Sequence, residues 1–85
     1  MPKVTVKLFA TLIEITGKKS LELEARTIGE LLEKLYAKFG EPFRRELESG
    51  FMILVNGHNI EHLKGLNTEL KEGDKVSIFP PAGGG

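Results

Sequence analysis

The sequence predicts one α+β domain in which a single amphipathic helix covers one face of a four- or five-stranded sheet. Three observations lead there. Apolar and polar residues alternate near both ends of the chain, from Lys3 to Phe9 and from Lys75 to Phe79, as half-buried strands require. Between them one long segment, Ile28 to Phe39, repeats its apolar residues at helical spacing. The chain is also short: 85 residues, 40% hydrophobic and 28% charged, provide for one core and not two. A domain of this size hides only about 60% of the surface that its unfolded chain exposes, so most apolar residues must enter that core and little is left for a deep cleft.

Taken in order, Val4, Val6 and Leu8 share one face of the first strand, and Lys3, Thr5, Lys7 and Phe9 share the other. Ala10 to Thr16 reads as a short helical turn closed by Gly17. Leu21, Leu23 and Ala25 then alternate with Ser20, Glu22, Glu24 and Arg26 in a second strand. Thr27-Ile28-Gly29-Glu30 has the form of a capping box, in which the threonine oxygen and the glutamate each satisfy a free backbone N–H at a helix start. Ile28, Leu31, Leu32, Leu35 and Phe39 form the apolar stripe of the helix that follows, and Gly40 ends it in the left-handed conformation that glycine tolerates. Pro42 suits a first helical turn, so Phe43 to Glu48 makes one more short helix before Ser49-Gly50.

Phe51 to Val55 is apolar on both faces, which fits a strand covered on two sides or one that offers a face to a partner. Asn56-Gly57 turns the chain, Ile60 to Leu70 is irregular, and Lys71-Glu72-Gly73-Asp74 is a tight turn into the last strand, with Val76 and Ile78 inward. With one main helix available, the second face of the sheet stays wet. Phe9 and Phe79 fall at outward positions of that face, and Met52 and Leu54, or their neighbours in the other phase, can join them. Clustered exposed apolar residues mark a binding surface, whereas single ones need no explanation.

Composition removes several functions. Lys and Arg number 12, as do Asp and Glu, so neither nucleic acid nor an anionic membrane is the expected partner. Without cysteine there is no disulfide framework, no thiolate nucleophile and no cysteine-ligated metal. The run Phe51 to Val55 is far too short to span a bilayer, and Met1-Pro2-Lys3-Val4 leaves no room for a signal peptide, so a cytoplasmic location is expected. His58 and His62 have the spacing of a helical metal pair but lack a third ligand and a regular helix, and are read as surface residues. Glu46 and Glu48 could pair as acid and base only in a strand, yet their surroundings read helical. Lys18-Lys19 and Arg44-Arg45 read as solvated surface able to steer an acidic partner at a rim.

The end of the chain carries the chemistry. Residues 1–79 make up the folded domain; residues 80–85, Pro80-Pro81-Ala82-Gly83-Gly84-Gly85, bring no side chain that could bury useful area. Two prolines favour a stiff extended path, which at roughly 3 Å per residue reaches about 15–20 Å. The three glycines carry no Cβ, so their backbone can enter a channel too narrow for any other residue. Such a channel would receive the α-carboxylate of Gly85, which is inert toward nucleophiles until an ATP-dependent partner joins it to AMP. The competing account is a frayed terminus without function.

Ser77-Ile78-Phe79-Pro80-Pro81-Ala82-Gly83-Gly84-Gly85 resembles the carboxyl end of the MoaD/ThiS sulfur carriers, which finish in a hydrophobic strand, two prolines in the MoaD branch, and a diglycine. Lys7-Leu8-Phe9-Ala10, Ile53-Leu54-Val55-Asn56-Gly57 and Leu70-Lys71-Glu72-Gly73-Asp74-Lys75-Val76 fit the same pattern, so the likeness covers the whole chain. It implies a ubiquitin-like β-grasp fold with a mixed sheet. It also implies adenylation of Gly85 by an E1-like activating enzyme that uses ATP, with no cofactor bound by the carrier, and sulfur from a donor protein to form a C-terminal thiocarboxylate. In the MoaD branch the tail then enters the large subunit of molybdopterin synthase and gives its sulfur to the dithiolene of the molybdenum or tungsten cofactor. By this resemblance Gly85 is the activated residue, Gly84 its partner glycine, Pro80 and Pro81 the rigid lead-in, and Phe79 a partner contact. Phe9, Ala82 and Gly83 complete the expected partner-binding set, and no metal site is expected. Two departures stand out: Ile13 precedes Glu14 where the family commonly has arginine, and Gly83 stands where Ser or Thr is frequent. Joining of Gly85 to lysines of other proteins, as ubiquitin is joined, and a plain β-grasp interaction module are the alternatives.

Overall fold

In the computed structural model, which describes residues 1–80, the chain runs in order through β1 (Lys3–Leu8), α1 (Thr11–Thr16), β2 (Ser20–Glu24), α2 (Ile28–Phe39), α3 (Glu41–Glu48), β3 (Met52–Val55), β4 (His58–Asn59) and β5 (Lys75–Phe79). Two single 3-10 turns, Ile60–His62 and Gly65–Asn67, occupy the irregular stretch before β5. The five strands form one sheet in the order β2-β1-β5-β3-β4. β1 and β5 run parallel, and the other neighbours are antiparallel, so the sheet is mixed. The first and last strands thereby lie side by side at its middle.

Strand alternation sends Val4, Val6, Leu8, Ile53, Val55, Val76 and Ile78 to one face, all buried. Ile28, Leu31, Leu32 and Leu35 of α2 meet them in a single hydrophobic cluster. The sequence pointed to one covering helix; in fact Leu12 of α1 and Phe43 and Leu47 of α3 enter the same cluster. The 12-residue α2 does not cover the five strands alone: α3 packs against it, and α1 packs against α3. They also fasten to each other through the Thr11 hydroxyl, which donates to Glu46 Oε2 at 2.6 Å.

The start of α2 departs from a capping box in one bond. Thr27 Oγ1 accepts the Glu30 N–H at 3.2 Å as expected, but Glu30 Oε1 takes the N–H of Arg26, one residue before the cap, at 2.6 Å. The backbone here is held by the loop before β5: Ile28 N–H donates to Thr68 O and Leu70 N–H to Arg26 O. Gly40 has positive φ, 83°, but ψ of −168°, which is not the left-handed helical region. It is an extended region open in practice to glycine alone. Gly40 ends α2 and starts α3 at once, so no spare residue remains for a left-handed cap.

At the β3–β4 turn Asn56 and Gly57 both take positive φ, 51° and 88°, as a two-residue hairpin turn requires. The Asn56 side chain ties this turn to the one before β5: Nδ2 donates to Asp74 Oδ1 at 3.0 Å and Oδ1 accepts the Lys75 N–H at 3.0 Å. Asn56→Ala removes both bonds and puts a Cβ residue with no local side-chain hydrogen bond at left-handed φ. We expect a loss of about 1–2 kcal/mol by urea unfolding, with Asn56→Gly losing about half of that because its backbone is unstrained. Equal losses in both variants would refute the backbone share of the effect.

Candidate functional site

All three helices lie on one side of the sheet, and the outward residues of the five strands make up the other face. The register fixes their neighbours: Lys3 stands opposite Glu24, Thr5 between Glu22 and Lys75, Lys7 between Ser20 and Ser77, Leu54 beside Ser77, and Met52 beside Phe79. Leu8 pairs with Ile78 across the parallel strands, so the next residue on each, Phe9 and Phe79, come together. Their rings stack with centroids 4.3 Å apart and planes 16° from parallel. Both are half-buried rather than exposed, since each ring covers a face of the other. Met52 and Leu54, also half-buried, extend the apolar area across β3, which resolves their strand phase.

β3 is therefore apolar on both sides for two reasons, with Ile53 and Val55 in the core and Met52 and Leu54 on the bare face beside the aromatic stack. Pro80 follows β5 directly and is half-buried. Of the expected site residues, Phe9, Phe79 and Pro80 are thus found at one end of the bare face. Pro81, Ala82, Gly83, Gly84 and Gly85 lie outside the described residues. Sequence reading passed over Lys7 as part of this site, although strand alternation alone places it on the face of Phe9, two residues away.

His58 is in β4 and His62 in the 3-10 turn after it, both exposed, so their spacing is not helical. Among the described residues no three His, Cys, Asp or Glu side chains gather where they could hold a metal. Glu46 and Glu48 belong to α3; the first accepts the Thr11 hydroxyl and the second pairs with Arg44 Nε at 3.2 Å. Arg44 also lies 5.1 Å from the ring centroid of Tyr36, whose hydroxyl titrates above the usual tyrosine range, first through burial and then through the nearby Glu48 charge. Among the described residues no helix is long and apolar enough to cross a membrane.

A mixed five-stranded sheet with its parallel pair at the middle, wrapped around one long helix, makes this a ubiquitin-like β-grasp protein. The chain belongs to the ThiS family, whose model matches residues 6–85, a family of sulfur carriers and ubiquitin-like modifiers. It is similar to small archaeal modifier protein 3 of Haloferax volcanii, 35% identical over 91 residues that cover 98% of this chain and 99% of the relative. The solution structure of small archaeal modifier protein 1 from Methanosarcina acetivorans superposes with a TM-score of 0.83 at 36% identity, covering 100% of this chain and 98% of that one. Subunit 1 of the molybdopterin-converting factor of Helicobacter pylori, solved as a protein–protein complex with subunit 2, superposes with a TM-score of 0.70 at 28% identity, covering 98% and 99% of the two chains. Relatives of this chain thus form complexes with partner proteins.

Proposed function

We propose that this protein is a sulfur carrier whose Gly85 carboxylate is activated and thiolated, and that the thiocarboxylate donates its sulfur in molybdopterin biosynthesis as the small subunit of a molybdopterin synthase. In the first step a Gly85 carboxylate oxygen attacks the α-phosphorus of ATP on an E1-like enzyme and pyrophosphate leaves. A persulfide on a sulfur donor protein then attacks the acyl carbon and expels AMP, and a second thiol attacks the donor-side sulfur of the resulting acyl disulfide, forming a disulfide with the donor and releasing the thiocarboxylate. The carrier contributes no catalytic side chain and binds no cofactor; ATP belongs to the activating enzyme.

One observation carries the reading. Phe79 ends β5 within the Phe9–Phe79 stack and Pro80 follows it directly, so an apolar docking surface stands at the root of the segment to be delivered. A partner gripping that surface holds the chain at a fixed distance from its own active site. Incubation with a candidate activating enzyme, ATP and a sulfur source, followed by intact-mass measurement, tests it: one oxygen-to-sulfur exchange at the carboxyl end is expected, and an unchanged mass refutes it.

The similarity to small archaeal modifier proteins favours a second reading, in which a lysine amine attacks the same acyl-adenylate and Gly85 becomes an isopeptide. Recovery of Gly85 joined to lysines of other proteins from cell extracts selects it.

Docking through the stack is testable apart from the chemistry. Phe79→Asp should weaken binding to the activating enzyme or to the large subunit by about 2 kcal/mol or more, the scale of an aromatic anchor in an interface. Folding should suffer by about 1 kcal/mol, mainly the lost ring stacking. Calorimetric titration that finds unchanged affinity removes Phe79 from the interface.

A further inference from the structure

Next to the aromatic stack, where β1 leads into α1 and β2 begins, the surface sinks into a depression of about 410 Å³ lined by Lys7, Leu8, Phe9, Ile13, Lys19 and Ser20. Its apolar lining comes from the half-buried Phe9 and Ile13, while Leu8, which also borders it, has its side chain in the core. Lys7, Lys19 and Ser20 are its polar lining residues, and among the described residues no Asp or Glu lines it. Ligand-receiving sites have this make-up, an apolar body with a few polar groups placed at its edge.

Several backbone bonds hold the corner in shape. Leu8 N–H donates to Lys19 O at 2.9 Å, which clips the end of β1 to the start of β2. Leu12 N–H to Phe9 O and Ile13 N–H to Ala10 O fold the chain back on itself, with Ala10 at φ 57°. Thr16 Oγ1 accepts the Lys18 N–H and so sets the path into Lys19. Lys7 and Lys19 are exposed, and neither has a carboxylate within ion-pair distance among the described residues, where Arg44–Glu48 is the pair that forms. Glu22, the outward acid of β2 nearest in register, stands opposite Thr5 and not Lys7. On α1, Glu14 is exposed and does not line the depression.

We propose that this corner is a docking pocket for an acidic segment with an apolar tip, presented by the protein that handles the carrier's tail. A large apolar side chain of that segment seats on Phe9 and Ile13, and flanking Asp or Glu carboxylates lie against Lys7 and Lys19. The chain as a whole has no net charge, so the preference is local: a basic segment would set like charges together and a neutral one would leave the two ammonium groups without a counter-charge. The identity of the partner rests on the carrier reading; the chemistry of the pocket does not.

The probe is a hexapeptide Asp-Glu-Leu-Phe-Glu-Asp, blocked at both ends and titrated into the isotopically labelled full chain, with its Asn/Gln isostere as comparison. Amide shifts should concentrate at residues 7–13, 19 and 20. Affinity should fall on the order of tenfold between low and high salt, because the contact is at a solvent-exposed rim. The double variant Lys7→Glu/Lys19→Glu should lose the response, while Lys3→Glu/Lys75→Glu, on the same sheet face, should keep it. Equal binding of the isostere, shifts centred elsewhere, or no response would overturn the proposal. So would displacement of the Lys7 and Lys19 signals on deleting residues 81–85, which would assign the pocket to the chain's own end. Mass analysis of the wild-type chain after activation separates the two readings: a thiocarboxylate with no peptide response refutes the pocket alone, and a peptide response with no thiocarboxylate refutes the carrier alone.

Discussion

A chain lengthened by one phenylalanine after Gly85 should form no detectable adenylate or thiocarboxylate, although its fold is intact. One added residue moves the carboxylate by about 3.5 Å. A misplacement of about 1 Å at a reacting centre already costs on the order of a hundredfold in rate. The new side chain also brings a Cβ and a ring to a position that the three terminal glycines leave bare. We expect a drop of at least about a thousandfold in pyrophosphate release with the activating enzyme. Removing Gly84 and Gly85 should have the same result by shortening the reach. The core is drawn from residues 4–78, so circular dichroism and the unfolding midpoint should match the parent chain in both variants. Full partner function in either would leave a β-grasp interaction module as the account of this protein.

Much of the sheet is legible in the sequence because its signal has a period of two. Val4, Val6, Leu8, Val76 and Ile78 are inward in the sequence pattern and buried in the structure. The same alternation placed Phe9 and Phe79 outward. It carried no information on strand order, and only the parallel pairing of β1 with β5 turns two separate outward aromatics into a stack. Long-range polar links were equally silent. Asn56 and Asp74 each look like an ordinary turn residue, and nothing local says that they bond to each other across 18 positions. The same holds for Lys7 and Lys19, brought to one corner by the β1–β2 register. The capping signal at Thr27 holds for the cap oxygen, and Glu30 reaches back to a donor as the pattern implies, though that donor is the Arg26 N–H, one residue before the cap.

The largest stability effect should come from Phe43→Ala. Its ring is fully buried, at 0% exposure, on a helix of only eight residues. It lies 5.5 Å from the ring of Phe39 and 6.3 Å from that of Tyr36, and so joins α3 to the back of α2. Truncating a buried phenylalanine costs about 3–5 kcal/mol, from lost transfer energy and the cavity left behind. A domain of this length has roughly 4–13 kcal/mol in total, so the variant is expected to be partly unfolded at 37 °C. Phe43→Leu, which keeps most of the volume, should lose about 1–1.5 kcal/mol and supplies the graded measurement if the alanine variant does not fold. Tyr36 is the single tyrosine and tryptophan is absent, so intrinsic fluorescence reports this cluster directly during urea unfolding. The effect should reach the proposed docking corner as well: α3 is fastened to α1 through Glu46 and Thr11, and α1 carries Ile13. Peptide affinity at the corner should therefore weaken in Phe43→Leu while Asn56→Gly, of similar stability but remote from α1, leaves it unchanged. Equal peptide affinity in both variants would show that the corner is held by the β1–β2 clip alone.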